Sequence, residues 1–448
     1  MRLSYLTPRA GTIAGRIFLT LLACATLAGA QQNPADTQSP PESAAPPSPN
    51  TQAAAPSQSQ DEKHIHLAVI DTPFPQSPIF PSAAATSSDA SGAGSQDHAS
   101  SQSKSELVLA PIPFSNQALT WGIIPVAQYL FPASKDDSTS PRSFVVGAGM
   151  VADGISWAVG GGGKFYLHKD RFRITTFGGH GTVAYDLFGA GTASGDAGRT
   201  VPIRQGGNLG LGEFLVRIFG NVFVGPRYNY RDLTANLNLS GGTTTLPEGL
   251  NPDDFGSQFV THGPGFKLLQ DSRNSQFYST RGNEFQLYGD FFGATRTATA
   301  VLPEKHLDYQ TYQLSENHYF SLASKDVLAV RGMMCSEQGE DVPFFELCQF
   351  GALSDIRGYE PGRFRDRRMF AVQTEYRRIL THRWGFTAFA GVGEVAPSWT
   401  SFSLENLLPG GGLGVRFNLA KQDRINLRAD VAYGNTGWSW TFALGEAF

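Results

Sequence analysis

Arg424-Ile425-Asn426-Leu427-Arg428-Ala429-Asp430-Val431-Ala432-Tyr433 changes side-chain character at every step. Ile425, Leu427, Ala429, Val431 and Tyr433 fall on one face, and Arg424, Asn426, Arg428, Asp430 and Ala432 on the other. That is the period of two of a β-strand. The next segment repeats it, with Trp438, Trp440, Phe442 and Leu444 opposing Ser439, Thr441, Ala443 and Gly445. Upstream, Leu413, Val415, Phe417 and Leu419 oppose Gly412, Gly414, Arg416 and Asn418, and Phe285, Leu287 and Phe291 oppose Glu284, Gln286 and Asp290. Any half-buried sheet alternates, so the chemistry of the faces decides. Here the apolar face is aromatic-rich, and the polar face carries Arg, Asp, Asn, Gln and Gly. Strands of about ten residues with that dyad pattern are those of a transmembrane barrel.

Composition agrees. The 448 residues include 50 Gly, 12% aromatic and only 17% charged residues. Past residue 30 no apolar run approaches the length of a helical membrane span. Removing Arg2, Arg9 and Arg16 leaves 32 basic against 39 acidic residues, a net charge of −7. A mildly acidic chain without a basic cluster is a poor partner for nucleic acid.

The first 30 residues read as a signal peptide: three arginines, an apolar core over Ile17 to Leu27, and Ala28-Gly29-Ala30 as the cleavage site. A competing reading is a lipoprotein cut before Cys24. It leaves a short apolar core and a bulky Leu where small residues are usual. Residues 31–105 form a linker in which Ser, Ala, Pro and Gln fill 48 of 75 positions. Such a stretch buries too little apolar surface to offset its ordering entropy, so disorder is expected. One island, 65–70, interrupts it, beside His64 and His66, which lack a third metal ligand nearby. The barrel is expected over 106–448.

Fifteen strands are legible, near 121–131, 143–152, 155–167, 171–187, 207–219, 221–233, 260–271, 283–293, 307–319, 326–334, 368–380, 384–395, 410–419, 424–434 and 437–448. A barrel with both ends on one side needs an even number, so the expectation is 14 or 16. Segment 121–131 is the doubtful one, because Pro125 interrupts it and both its faces are apolar. The last strand is expected to close on the terminal Phe448, with Glu446 near the membrane interface.

Three short segments resemble the BamA/TamA superfamily of outer-membrane assembly and secretion barrels, also called bacterial surface antigens. Ile356-Arg357-Gly358-Tyr359 is similar to the family's (Val/Leu/Ile)-Arg-Gly-(Phe/Tyr) loop motif and is followed by Gly362-Arg363-Phe364-Arg365-Asp366. Asp271-Ser272-Arg273-Asn274 with Thr280-Arg281-Gly282 resembles a periplasmic turn between mid-barrel strands, with Ser279 where Pro is usual. Gln373-Thr374-Glu375-Tyr376-Arg377 resembles the strand after the motif loop. The match is specific over roughly 260–448 and only compatible over 110–260. Family members usually carry periplasmic POTRA modules; residues 31–105 do not fit one, so a form lacking them is expected.

An arginine on a loop folded into a barrel has lost much of its water and needs a carboxylate. By alternation Glu375 shares the inner face with Ala371, Gln373 and Arg377, so Arg357 is expected to pair with it. The resemblance implies a second acid one strand on, where Gly391 stands instead. Otherwise Arg357 is a solvated loop residue. Cys335 and Cys348 remain after the leader and could form one disulfide in an oxidising compartment, or two separate buried thiols.

No Gly-x-Ser-x-Gly elbow, His-Glu-x-x-His or phosphate loop occurs; Gly160-Gly161-Gly162-Gly163-Lys164 is followed by Phe165 where Ser or Thr is needed. An enzyme is therefore not expected, nor a cofactor or metal. Partners are expected to be outer-membrane lipid and a periplasmic or nascent polypeptide. Three functions stand: an assembly or translocation barrel, a passive outer-membrane channel, or a surface-antigen barrel that binds a partner.

Overall fold

In the computed structural model the described residues are 105–448, apart from 117–119, 133–136, 138–139, 153–155, 239–244, 352–354 and 421–423. The leader, the linker and its 65–70 island lie outside them.

Sixteen antiparallel strands follow one another round a single sheet. They are β1 (Glu106–Asn116), β2 (Thr120–Leu130), β3 (Phe144–Ala152), β4 (Trp157–Leu167), β5 (Phe172–Phe188), β6 (Thr200–Phe219), β7 (Val222–Leu237), β8 (Gln258–Asp271), β9 (Gly282–Arg296), β10 (Lys305–Ala323) and β11 (Asp326–Gln338). Then come β14 (Arg368–Ile379), β15 (Trp384–Ala396), β16 (Leu408–Ala420), β17 (Ile425–Gly434) and β18 (Gly437–Leu444). Between β11 and β14 a long loop carries a small two-stranded sheet, β12 (Cys348–Phe350) and β13 (Phe364–Asp366). One short helix, α1 (Thr192–Ala197), sits between β5 and β6. β1 and β18 come alongside each other, but no backbone ladder joins them among the described residues.

The sixteenth strand is β1, which the sequence pattern does not disclose. Pro111 lies opposite Pro125 in the β1–β2 ladder. Neither proline has an N–H to give, so the pair occupies a position where the ladder asks for none. Segment 121–131 is thus a true strand. Both faces of β1 and of β2 are apolar for a physical reason: Leu109, Trp121 and Ile123 are exposed on the outer wall, while Val108, Ala110, Ile112, Ile124 and Val126 join a buried apolar cluster inside. Loop aromatics Phe255, Phe344 and Phe345 complete that cluster. This side of the barrel is filled like a soluble core.

The opposite side has a polar interior. Alternation along β14 buries Gln373, Glu375 and Arg377 inside. Along β17 and β18 it buries Arg428, Asp430, Ser439 and Thr441 while Tyr433, Trp438 and Trp440 stay exposed. Exposed aromatics recur round the outer wall, at Trp157, Phe214, Tyr228, Phe266, Phe291 and Trp384. A wall of that kind suits lipid, and between neighbouring strands from β1 to β18 the backbone polar groups are paired in the ladders.

The short turns at 168–171, 220–221, 324–325 and 380–383 lie at the end of the sheet that holds both β1's start and β18's finish. Four of the longer connections, 189–199, 238–257, 339–367 and 397–407, lie at the other end, while 131–143 lies at the first end and the two-residue turn 435–436 at the second. Transmembrane barrels keep short turns on the periplasmic side and long loops outside.

β18 stops at Leu444, and the expectation for Phe448 and Glu446 needs correcting. Gly445 has φ of 91°, a left-handed conformation that breaks the alternation. The chain end then turns inward. Glu446 leaves the lipid side and meets Arg416 and Asn426. Phe448 packs beside Tyr278, Tyr319, Val327 and Ala329, and its carbonyl oxygen accepts from Arg377 Nη2.

Candidate functional site

The 339–367 loop packs its motif onto the inner face of β14 to β17. Arg357 is 4% exposed, and its guanidinium is fully engaged. Nη2 lies 2.5 Å from Glu375 Oε2, and Nη1 lies 2.9 Å from Asp430 Oδ2. Nε and Nη2 also donate to Gln373 Oε1, at 3.0 and 2.9 Å. The guanidinium carbon sits 3.4 Å from the Phe389 ring centroid. Only a planar, five-donor cation can use this arrangement; a lysine ammonium could serve one carboxylate but neither fork nor stack.

The surroundings extend the network. Arg377 Nε lies 2.6 Å from Glu375 Oε1, and Arg416 Nη2 3.5 Å from Glu375 Oε2. Arg416 also reaches Asp430 at 2.5 Å and Glu446 at 2.8 Å. Three arginines and three carboxylates therefore interlock inside β14 to β18. Desolvating one ion pair costs several kcal/mol, and networks with further hydrogen bonds recover that cost.

The other motif residues explain their own identities. Ile356 enters a buried cluster with Met333, Phe350, Phe364, Met369 and Leu408. Gly358 has φ of 118°, and a Cβ there would stand 3.1 Å from the Tyr433 carbonyl. Tyr359 donates from its hydroxyl to the Pro409 carbonyl at 2.6 Å and accepts from the Asn435 amide at 3.2 Å.

A second acid is present after all, but it is Asp430 on β17 and not a residue one strand on, where Gly391 does stand; the expectation that the second partner is missing is corrected. Gly391 has a different use. A Cβ on it would lie 2.5 Å from Ile356 Cδ1. Gly410 and Gly434 behave alike, standing against Arg357 O and Gly358 O at 2.7 Å. Gly391, Gly410 and Gly434 are cross-strand neighbours. They form a shallow bare track on the wall into which the loop settles.

At the periplasmic-type end, Asp271 closes β8 and Gly282 opens β9. Arg273 Nε lies 3.0 Å from Asp271 Oδ1, and its Nη2 2.5 Å from Glu284. Arg173 adds a bond to Asp271 at 2.9 Å. Gly282 has φ of 93°, and a Cβ would fall 2.2 Å from the Ser272 carbonyl oxygen. The turn folds inward, with Gln276 Oε1 accepting from Tyr166 at 2.6 Å. It does not meet Arg357; it shares the Tyr278 and Tyr319 cluster with Phe448.

Cys335 on β11 and Cys348 at the start of β12 form a disulfide. It fastens the loop to the wall one strand away from Glu375. Closing a loop of this size contributes about 3 kcal/mol in the chain-entropy model. Reduction, or the Cys335→Ser/Cys348→Ser pair, is expected to raise trypsin cleavage within 339–367 by one to two orders of magnitude while the barrel stays folded. Peptide mapping of timed digests, with and without reductant, checks this.

Among family models none matches this sequence. No curated protein matches it either. Solved structures similar to it include a BamA from Haemophilus ducreyi lacking POTRA domains 1–3, at 14% identity over 75% of this chain and 67% of that one, TM-score 0.46. CdiB from Acinetobacter baumannii is similar at 11% identity over 84% and 72%, TM-score 0.46. A bacterial polysaccharide outer membrane secretin is similar at 10% identity over 74% and 91%, TM-score 0.37.

Two buried loop acids add a pH response. Burial pushes Asp254 up to about 7, against the Phe344 amide that donates to it and the nearby Arg296. Burial likewise pushes Glu360 up to about 7, with Arg363 opposing. A carboxyl whose pKa is higher folded than unfolded binds more protons in the folded state across that interval. The contribution of these two acids to loop stability is then full below about pH 4 and falls as pH rises through 7. The expected result is slower loop hydrogen exchange, corrected for intrinsic rates, at pH 5 than at pH 8. Asp254→Asn should flatten the difference for residues around Phe344.

Proposed function

We propose that this chain is an outer-membrane barrel that assembles or translocates polypeptides, with the Ile356–Tyr359 loop as its internal working part. The observation that carries this is the Arg357 brace: a loop arginine held at once by Glu375, Asp430 and Gln373 on three faces of its fork. A loop that served only to connect β11 and β14 would have no use for desolvated charges. The resemblance of the loop motif and of the Gln373–Arg377 segment to the BamA/TamA superfamily supports the same reading, as does the aromatic outer wall. A passive channel needs a continuous water path. Gln373, Glu375, Arg377, Arg416 and Asp430 are each at most 2% exposed, which speaks against a wide one beside β14 to β17.

The test uses a photo-cross-linking residue at Lys325, in the exposed turn between β10 and β11, in cells carrying the full chain. Capture of periplasmic or nascent polypeptides that falls severalfold in Arg357→Ala supports the reading. Absence of polypeptide adducts, or adducts unaffected by the substitution, contradicts it.

A further inference from the structure

Alternation gives β10 an inner and an outer row. Thr311, Gln313, Ser315, Asn317 and Tyr319 are buried inside. Tyr312, Leu314, Glu316, His318 and Phe320 therefore form the outer row, which Leu322 continues at 59% exposure. At roughly 3.3 Å per residue and a tilt near 40°, the stretch from Tyr312 to Leu322 rises about 25 Å, the height of the apolar band on such barrels. Glu316 and His318 sit in the middle of it, where lipid tails would otherwise meet the wall.

The polar stripe runs on across two more strands. Asn283 on β9 and Gln270 on β8 face outward too, since their neighbours Glu284 and Leu269 are buried inside. Asn283 Nδ2 donates to Gln270 Oε1 at 2.7 Å and to Glu316 Oε1 at 3.0 Å. Gln270 Nε2 donates to Asn283 Oδ1 at 3.3 Å. His318 Nδ1 lies 3.8 Å from Glu316 Oε1, and its ring stacks on Phe320 at 4.4 Å. Glu316 Oε2 and His318 Nε2 make no hydrogen bond among the described residues. The two side chains are 30% and 27% exposed. Leu287 and Leu314, paired across β9 and β10, flank the stripe on one side, and Phe320 and Leu322 flank it on the other. Ionisable groups turned toward hydrocarbon are costly and mark a contact that relieves them.

We infer that this stripe is the contact face between two copies of the chain in the membrane. It carries both halves of a polar contact, an open carboxylate oxygen on Glu316 and an open ring nitrogen on His318, which donates when it bears the proton. A two-fold axis along the membrane normal sets the same patch against itself at the same depth. Each Glu316 Oε2 then meets the partner's His318, twice in one interface, while Leu314, Phe320 and Leu322 pack around the pair. Lipid tails offer no donor at that depth. A different membrane protein would need a complementary patch of its own, whereas this one completes itself.

The test places a photo-cross-linking residue at Leu314 in cells carrying the full chain. The control position is Ile123 on β2, exposed on the outer wall eight strands away. The expected result is a self-adduct of twice the chain mass from Leu314 and none from Ile123. Glu316→Gln/His318→Ala, shown to be folded by heat-modifiable gel mobility, should lower it about tenfold, as the loss of two membrane hydrogen bonds would. Native mass spectrometry of the unaltered protein released from lipid vesicles reads the same question without substitution. A two-chain mass supports the proposal, and a one-chain mass overturns it. No adduct at Leu314, or adducts only to lipid or to another protein, also overturns it. So do self-adducts that are equal at the two positions or unchanged by the double substitution.

Discussion

Arg357→Ala is expected to raise protease cleavage of the 355–367 segment about a hundredfold without unfolding the barrel. The substitution removes the contacts to Glu375, Asp430 and Gln373 and the stack on Phe389. Breaking one side of a buried charge network costs about 3–5 kcal/mol. The lower end applies here, because Glu375 keeps Arg377 and Asp430 keeps Arg416. About 3 kcal/mol is a hundredfold in the open population of the loop, and cleavage of a transiently opened segment follows that population. Arg357→Lys should recover only part of the loss, since one ammonium cannot reach both acids. Timed proteolysis with mass-spectrometric mapping reads all three proteins, and equal rates in wild type and Arg357→Ala would sink the brace.

Gly410→Val should release the same loop from the other side of the contact. The nearest atoms to a Cβ at Gly410 are Arg357 O at 2.7 Å, Ile356 Cγ2 at 2.8 Å and Tyr359 Cε2 at 3.3 Å. All three belong to the loop and none to the barrel wall. The new side chain therefore pushes the loop away and leaves the β15–β16 ladder in register. Overpacking of this kind costs about 1–3 kcal/mol, or roughly a tenfold to hundredfold rise in cleavage. Combined with Arg357→Ala the two effects should fall well short of additive, since both act by freeing one element. Additive costs in a double-mutant cycle would mean the glycine track and the arginine act on different parts of the chain.

The barrel was legible because alternation survives any choice of register. Residues 424–433 show which side chains share a face before any partner strand is known. β1 escaped for the same reason in reverse. With Pro111 and Pro113 in it and an apolar inner as well as outer face, it offers no contrast between sides. Glu375 could be assigned from its own strand. Asp430 and Arg416 could not, because their approach to Arg357 depends on how β15, β16 and β17 are staggered. Their signal was present as charges on faces reserved for the interior, but nothing local says which loop residue they meet. Gly391, read as a missing partner, is instead the clearance that lets Ile356 in. The inward turn of Glu446 hinges on one positive φ at Gly445.

The account rests most on the loop occupying the barrel interior, and planar-bilayer conductance of the purified full-length protein measures that directly. Wild type is predicted to conduct weakly and intermittently, with Arg357→Ala and Gly410→Val each opening longer and larger steps. A large, steady wild-type conductance that neither substitution changes would contradict it.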